Sequence, residues 1–153
     1  MTEGGKMAKE SWFLILTAIG VALVSLGYGV NPKLGMPLLY GIDIESVNQI
    51  NMYRAIMGLY LAISLYWIIG ALNENVKLAA LWSMFVFMTG IGSGRLISVY
   101  LDGTPSTIFI LFLSIEIISA VLCLFFISRL NKEIENANIT NSNSFRRDQR
   151  YTS

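Results

Sequence analysis

Three ionisable side chains stand inside stretches that are otherwise apolar enough to cross a bilayer: Arg54, Arg95 and Glu116. A charge at membrane depth costs roughly 3 kcal/mol or more, so such residues usually turn to the bundle interior and find a partner. A guanidinium is a planar fork suited to carboxylate or phosphate. A carboxyl group desolvated near it is a candidate acid or base, raised by burial and lowered by the arginines. Other chemistries are excluded. The chain has no histidine, which removes imidazole ligation of haem or zinc and histidine acid–base catalysis. Its one cysteine, Cys123, has no partner in the chain for a disulfide or redox pair and reads as a small packing residue. The sequence therefore predicts no catalytic set, no metal site and no cofactor. It reads as a binding or structural protein sooner than an enzyme.

The elements that must position these charges follow from hydropathy. Of 153 residues, 54% are hydrophobic and 14% charged, where a soluble domain carries about a quarter charged. The charges crowd into the ends and connections, leaving apolar blocks of bilayer length. The predicted fold is all-α, a four-helix transmembrane bundle of up-down topology. Its spans are at about 11–30, 46–72, 76–101 and 105–130, preceded by a polar N-terminus (1–10) and followed by a disordered tail (131–153) rich in Asn, Ser and Arg. The first span has a basic flank but is long for a signal peptide, and reads as a retained anchor.

Local signals refine these spans. Pro32, Gly35, Pro37 and Gly41 punctuate the first connection too often for a helix, which makes it a loop and the candidate lid. Ser46 and Gln49 fit a capping box opening the second span. Asn51, Arg54, Ala55, Gly58 and Ala62 share one face of it, read as turned towards other helices, and Trp67 reads as an interfacial anchor. Asn73-Glu74-Asn75 is a tight link between antiparallel neighbours. The cluster Gly90-Ile91-Gly92-Ser93-Gly94 lacks the preceding strand of a nucleotide loop and reads as close helix packing. Gly92, Arg95, Ser98 and Asp102 share a face, so Asp102 is placed to reach Arg95. Thr104 and Pro105 are the expected N-cap and first residue of the last span, whose buried side carries Glu116, Ser119, Ala120 and Cys123.

With four spans, Lys6, Lys9, Lys77, Arg129, Lys132, Arg146, Arg147 and Arg150 fall on one side, against Lys33, Asp43, Glu45 and Asp102 on the other. The positive-inside rule then puts both termini in the cytoplasm. At 1.5 Å per residue, Arg54 lies roughly 6–12 Å below the outer start of its helix, Arg95 roughly 9 Å and Glu116 about 15 Å below theirs. The expectation is one cluster in the outer half of the bilayer, joined by Asn51 and Asp102, with Tyr53, Tyr60 or Tyr100 at its entrance.

Asn51 and Arg54 before Gly58, Arg95 followed by Asp102-Gly103 and Pro105, and Glu116 in the last span together resemble the bacterial family called domain of unknown function 4345 over about residues 11–130. The resemblance implies a small four-helix integral protein of the bacterial cell membrane and brings no established activity. More loosely, the architecture is similar to the DoxX-like four-helix proteins, some of which accompany quinone-linked oxidoreductases. No motif here carries a quinone-site residue over.

Three functional readings follow. The charges fix helix register as a buried ion-pair network; or they form a pocket, made of Asn51, Arg54, Arg95, Asp102 and Glu116, for a lipid or small anionic ligand; or Glu116 transfers protons in a small transporter or an accessory subunit of other membrane proteins. The expected surroundings are the lipid bilayer, with no nucleic acid. The basic tail is placed to touch anionic lipid, with a solvated tail as the plainer alternative.

Overall fold

The computed structural model describes residues 7–151, in which five helices follow one another without a strand among the described residues. They are α1 (Lys9–Gly29), α2 (Pro32–Tyr40), α3 (Val47–Leu72), α4 (Glu74–Asp102) and α5 (Thr107–Tyr151). Four of them, all but α2, are long and apolar enough to cross a membrane. Lys6 lies outside the described residues, as do the side chains of Arg146, Arg147 and Arg150.

The helix ends are set by local chemistry. At the start of α3, the Ser46 hydroxyl accepts the Gln49 backbone N–H at 3.2 Å and Gln49 Oε1 accepts the Ser46 N–H at 2.8 Å, which is the expected capping box. Asn73 alone joins α3 to α4, ending one helix while its Oδ1 accepts the Asn75 N–H of the next at 3.0 Å. Gly103, at φ +97°, turns the chain after α4. The last long helix begins at Thr107, two residues beyond the expected Pro105, with the Phe109 N–H donating to the Ser106 carbonyl at 3.0 Å.

Two segments differ from expectation. The connection read as a loop contains α2. Pro32 opens it where no N–H is needed, and Gly41 closes it in the left-handed conformation at φ 67°. In so short a helix Pro37 removes a single hydrogen bond. The tail read as disordered from Asn131 continues α5 as helix to Tyr151. Neither Gly nor Pro follows Pro105 to stop it, and an i,i+4 pair, Arg129 Nε to Glu133 Oε1 at 3.0 Å, spans the boundary. Residues 131–140 are exposed throughout, so those roughly three turns of helix rest on their own hydrogen bonds.

In the packing order, α1 lies against α3, α3 against α4, and α4 against α5, with α2 laid on α1. Close approach is made by glycine where it matters: Gly70 of α3 leaves room for Ala80 of α4, and Gly35 of α2 sits on the Gly27 carbonyl of α1. The core joins Leu14, Ala18, Trp67, Leu81, Met84 and Cys123 from all four long helices. Trp67 is a core residue and no interfacial anchor: it is 0% exposed and its Nε1 donates to Ser83 Oγ at 3.0 Å. An indole whose N–H finds a hydroxyl inside the bundle has no need of the interface.

Candidate functional site

Arg95 and Glu116 meet. α4 carries Arg95 and α5 carries Glu116 on facing sides, and Arg95 Nε donates to Glu116 Oε1 at 2.8 Å and Oε2 at 3.1 Å. Glu116 lies on the buried side of α5 with Ser119 and Cys123, as its spacing predicts. Gly92 provides its seat: a Cβ there would stand 3.7 Å from Glu116 Cβ. The guanidinium carbon of Arg95 also lies 5.5 Å from the Phe109 ring centre and 5.6 Å from that of Phe112. Carboxylate and ring faces together compensate the cation.

The other expected members are elsewhere. Asn51 and Arg54 are exposed, as are Ala55, Gly58 and Ala62, so the face of α3 read as inward points out. Met57, Tyr60, Ser64, Trp67 and Ala71 form the inward face instead. Arg54 makes no ion pair among the described residues. About two turns from the start of its helix, it is near enough to the interface for its head to reach polar surroundings along its own stem. Asp102 does not reach Arg95; its carboxylate accepts the Ser98 hydroxyl at 2.8 Å on the exposed end of α4. The expected cluster of five residues is thus one ion pair. Of the glycines at 90–94, only Gly92 is at a helix contact, while Gly90 and Gly94 face open space.

The pair stands on the wall of a groove, towards the end where Phe112 and Tyr28 line it. Between α1 and α5 the bundle is open, and a cavity of about 380 Å³ lies there with α3 and α4 as its floor. Leu16, Ile115 and Leu122 line it and are exposed, so it opens sideways through the apolar belt. Aromatic contacts bridge α1 and α5 at one end, where the Phe13 and Phe126 rings stand 5.3 Å apart. At the other, Tyr40 of α2 links Tyr28 of α1, at 5.5 Å, to Phe109 of α5, stacked at 5.5 Å. From Phe13 to Tyr28, α1 rises about 22 Å. The polar groups on the wall are few: Thr17, Tyr28, Tyr60, Arg95, Glu116 and Ser119. Few convergent polar groups in a mostly apolar cleft is the usual make-up of a small-molecule site. A second, smaller cavity of about 240 Å³ between α4 and α5 touches the far side of the pair at Arg95, Ser98 and Pro105.

Of the tyrosines expected at the entrance, Tyr60 is on the groove, whereas Tyr100 is 87% exposed away from it. Tyr28 and Tyr40 escape sequence reasoning. Aromatic residues in an apolar block carry no periodic signal of their own, and Tyr40 is placed by the α2 helix that the prolines concealed. Lys77 escapes it too: its whole side chain is buried, with 1% exposure, and its Nζ meets the carboxylate of the exposed Glu74. That is a buried ammonium held by a single carboxylate one helical turn away. Glu10 is buried in the first turn of α1, where the helix dipole favours a carboxylate, and its Oε2 has no hydrogen-bond partner among the described residues.

A family model described as Domain of unknown function (DUF4345) matches residues 10–127, well over half of the chain. The chain belongs to the DUF4345 family. The match takes in the groove and its ion pair, and the part of α5 beyond residue 127 falls outside it. No curated protein and no solved structure matches this DUF4345 chain. No match to a DoxX-like protein accompanies the family match.

Proposed function

We propose that this DUF4345 protein is a multi-pass protein of the cell membrane, with both termini cytoplasmic, that holds a single-chain amphiphile drawn sideways from the bilayer. The chain of the ligand lies between α1 and α5, and its head meets the Arg95–Glu116 pair. One observation carries this reading: the buried pair is part of the wall of a cavity whose lips, Leu16, Ile115 and Leu122, are exposed in the apolar belt. A pair serving helix register alone needs no such cavity beside it, and a register pair is worth little net stability once its desolvation is counted.

The proton-transfer reading draws nothing from this geometry. Both Glu116 oxygens are engaged by Arg95 Nε. The cavity also ends in apolar side chains at Phe13 and Leu122, which offer no onward polar path.

The test is photocrosslinking in native membranes with a long-chain probe carrying a diazirine in mid-chain, followed by peptide mapping. Labels concentrated on the groove faces of α1 and α5, and competed away by excess unlabelled chain, are the expected outcome. Uniform, non-saturable labelling of every lipid-facing helix would mean ordinary boundary lipid and would overturn the reading.

A further inference from the structure

We infer that the head of the bound amphiphile is uncharged, a hydroxyl or carbonyl group that both accepts and donates hydrogen bonds; this rests on the groove reading above. The inference comes from charge balance at the polar end. Sequence reasoning sets two arginines against Glu116, a surplus that calls for an anion unless Asp102 makes up the balance. The structure leaves Arg54 exposed, away from the pair, and the groove contains one guanidinium and one carboxylate. These two satisfy each other at 2.8 Å, with the cation further covered by Phe109 and Phe112. Asp102, the remaining candidate counter-charge, is bound to Ser98 and absent from the groove lining.

An ionic head of either sign would therefore arrive with no net opposite charge to meet it, among lining side chains that carry no other charge. It would keep its full desolvation cost, since a buried charge is tolerated only when paired. A neutral head faces no such cost. The Arg95–Glu116 end offers it both kinds of partner: guanidinium N–H donors beyond the Nε already used, unoccupied lone pairs on the Glu116 carboxylate, and the phenols of Tyr28 and Tyr60. About 380 Å³ drawn out along about 22 Å of α1 is a slot one chain wide. The ligand class is thus a single hydrocarbon chain with one small neutral head, such as a long-chain alcohol or a monoacylglycerol.

Trp67 provides the readout. It is wholly buried, so bulk lipid does not touch it, yet its ring stands 5.3 Å from Phe87, which lines the groove. In a Trp12→Phe/Trp82→Phe background, which removes the two exposed indoles, the protein is placed in vesicles of unbrominated phosphatidylcholine. Dibrominated octadecyl alcohol, the matching monoacylglycerol, octadecyl sulfate and octadecyl trimethylammonium are then titrated in. Saturable quenching by the alcohol, the glyceride or both, with the sulfate and the ammonium roughly tenfold weaker, is expected, and the stronger neutral probe identifies the head. In Glu116→Gln the uncompensated Arg95 should bring the sulfate up to the level of the alcohol. The double variant Arg95→Gln/Glu116→Gln, neutral again, should restore the preference for uncharged heads even if a single variant is poorly folded. Wild-type quenching by a charged chain equal to that of the neutral ones overturns the uncharged head and leaves the groove reading standing. No saturable quenching by any chain overturns the groove reading itself, and the inference with it.

Discussion

Glu116 is buried on the strength of a single guanidinium, and the consequences are specific. Replacing it with Gln leaves Arg95 without its counter-charge in the bundle, which should cost about 3 kcal/mol, the usual penalty for breaking a buried pair from one side. The double variant Arg95→Gln/Glu116→Gln should lose less than the sum of the two single changes, because no charge is then stranded. Unfolding by sodium dodecyl sulfate titration in mixed micelles measures both. Arg54→Gln, by contrast, should be silent in the same assay, since Arg54 is exposed and its charge supports no partner among the described residues. At Gly92 a methyl group fits at ordinary contact distance from Glu116, so Gly92→Ala should be nearly neutral. Gly92→Leu should displace the carboxylate and behave like Glu116→Gln.

Among the elements, glycine positions separate real helix contacts from apparent ones. A Cβ at Gly70 would collide with that of Ala80, so Gly70→Ala should cost about 1–3 kcal/mol by overpacking the α3–α4 contact. The same change at Gly58, which faces open space, should be tolerated or mildly stabilising, because Ala is the better helix former. For α2, a Cβ at Gly35 would strike the Gly27 backbone carbonyl, which cannot move aside as a side chain can. Gly35→Ala should therefore lift α2 from α1 and take Tyr40 away from Phe109 and Tyr28, opening that end of the groove while the long helices stay folded. Faster exchange of a bound chain, with unchanged far-ultraviolet circular dichroism, is the expected signature. Element boundaries were mostly readable because caps are local: Ser46 and Gln49 need nothing outside their own turn. The α2 helix was not readable, because two prolines within nine residues are compatible with either a loop or a short helix. Packing on Gly27 settles which.

Over the whole molecule, the proposed orientation makes both ends of the chain accessible from one side. With Cys123 replaced by Ser, single cysteines at Lys9 and at Glu133 should react with an impermeant maleimide only from the cytoplasmic face, and one at Asp43 only from the other. Reaction of the Lys9 and Asp43 sites from the same side would exclude the four-span arrangement. The end of α5 is exposed over residues 131–140, so truncation after Asn136 should leave detergent stability within about 0.5 kcal/mol of the intact chain.

Hydropathy determined the number of the long apolar helices and, to within about two residues, every limit but the end of α5, because that signal sums over some twenty residues and survives any local misreading. It also determined that Glu116 is buried, since Ser119 and Cys123 repeat its face of α5. The partner was beyond its reach. Arg54 and Arg95 lie at similar depths in similar surroundings, and the choice between them depends on which helices are neighbours: α5 packs on α4, not on α3. The inward face of α3 was likewise undecided by pattern. In an apolar solvent small and apolar residues suit either side of a helix, and a polar residue near a helix end can reach the interface along its own stem. Tertiary structure alone decided that the charges reduce to one compensated pair, and that α1 and α5 stand apart above it to leave a groove.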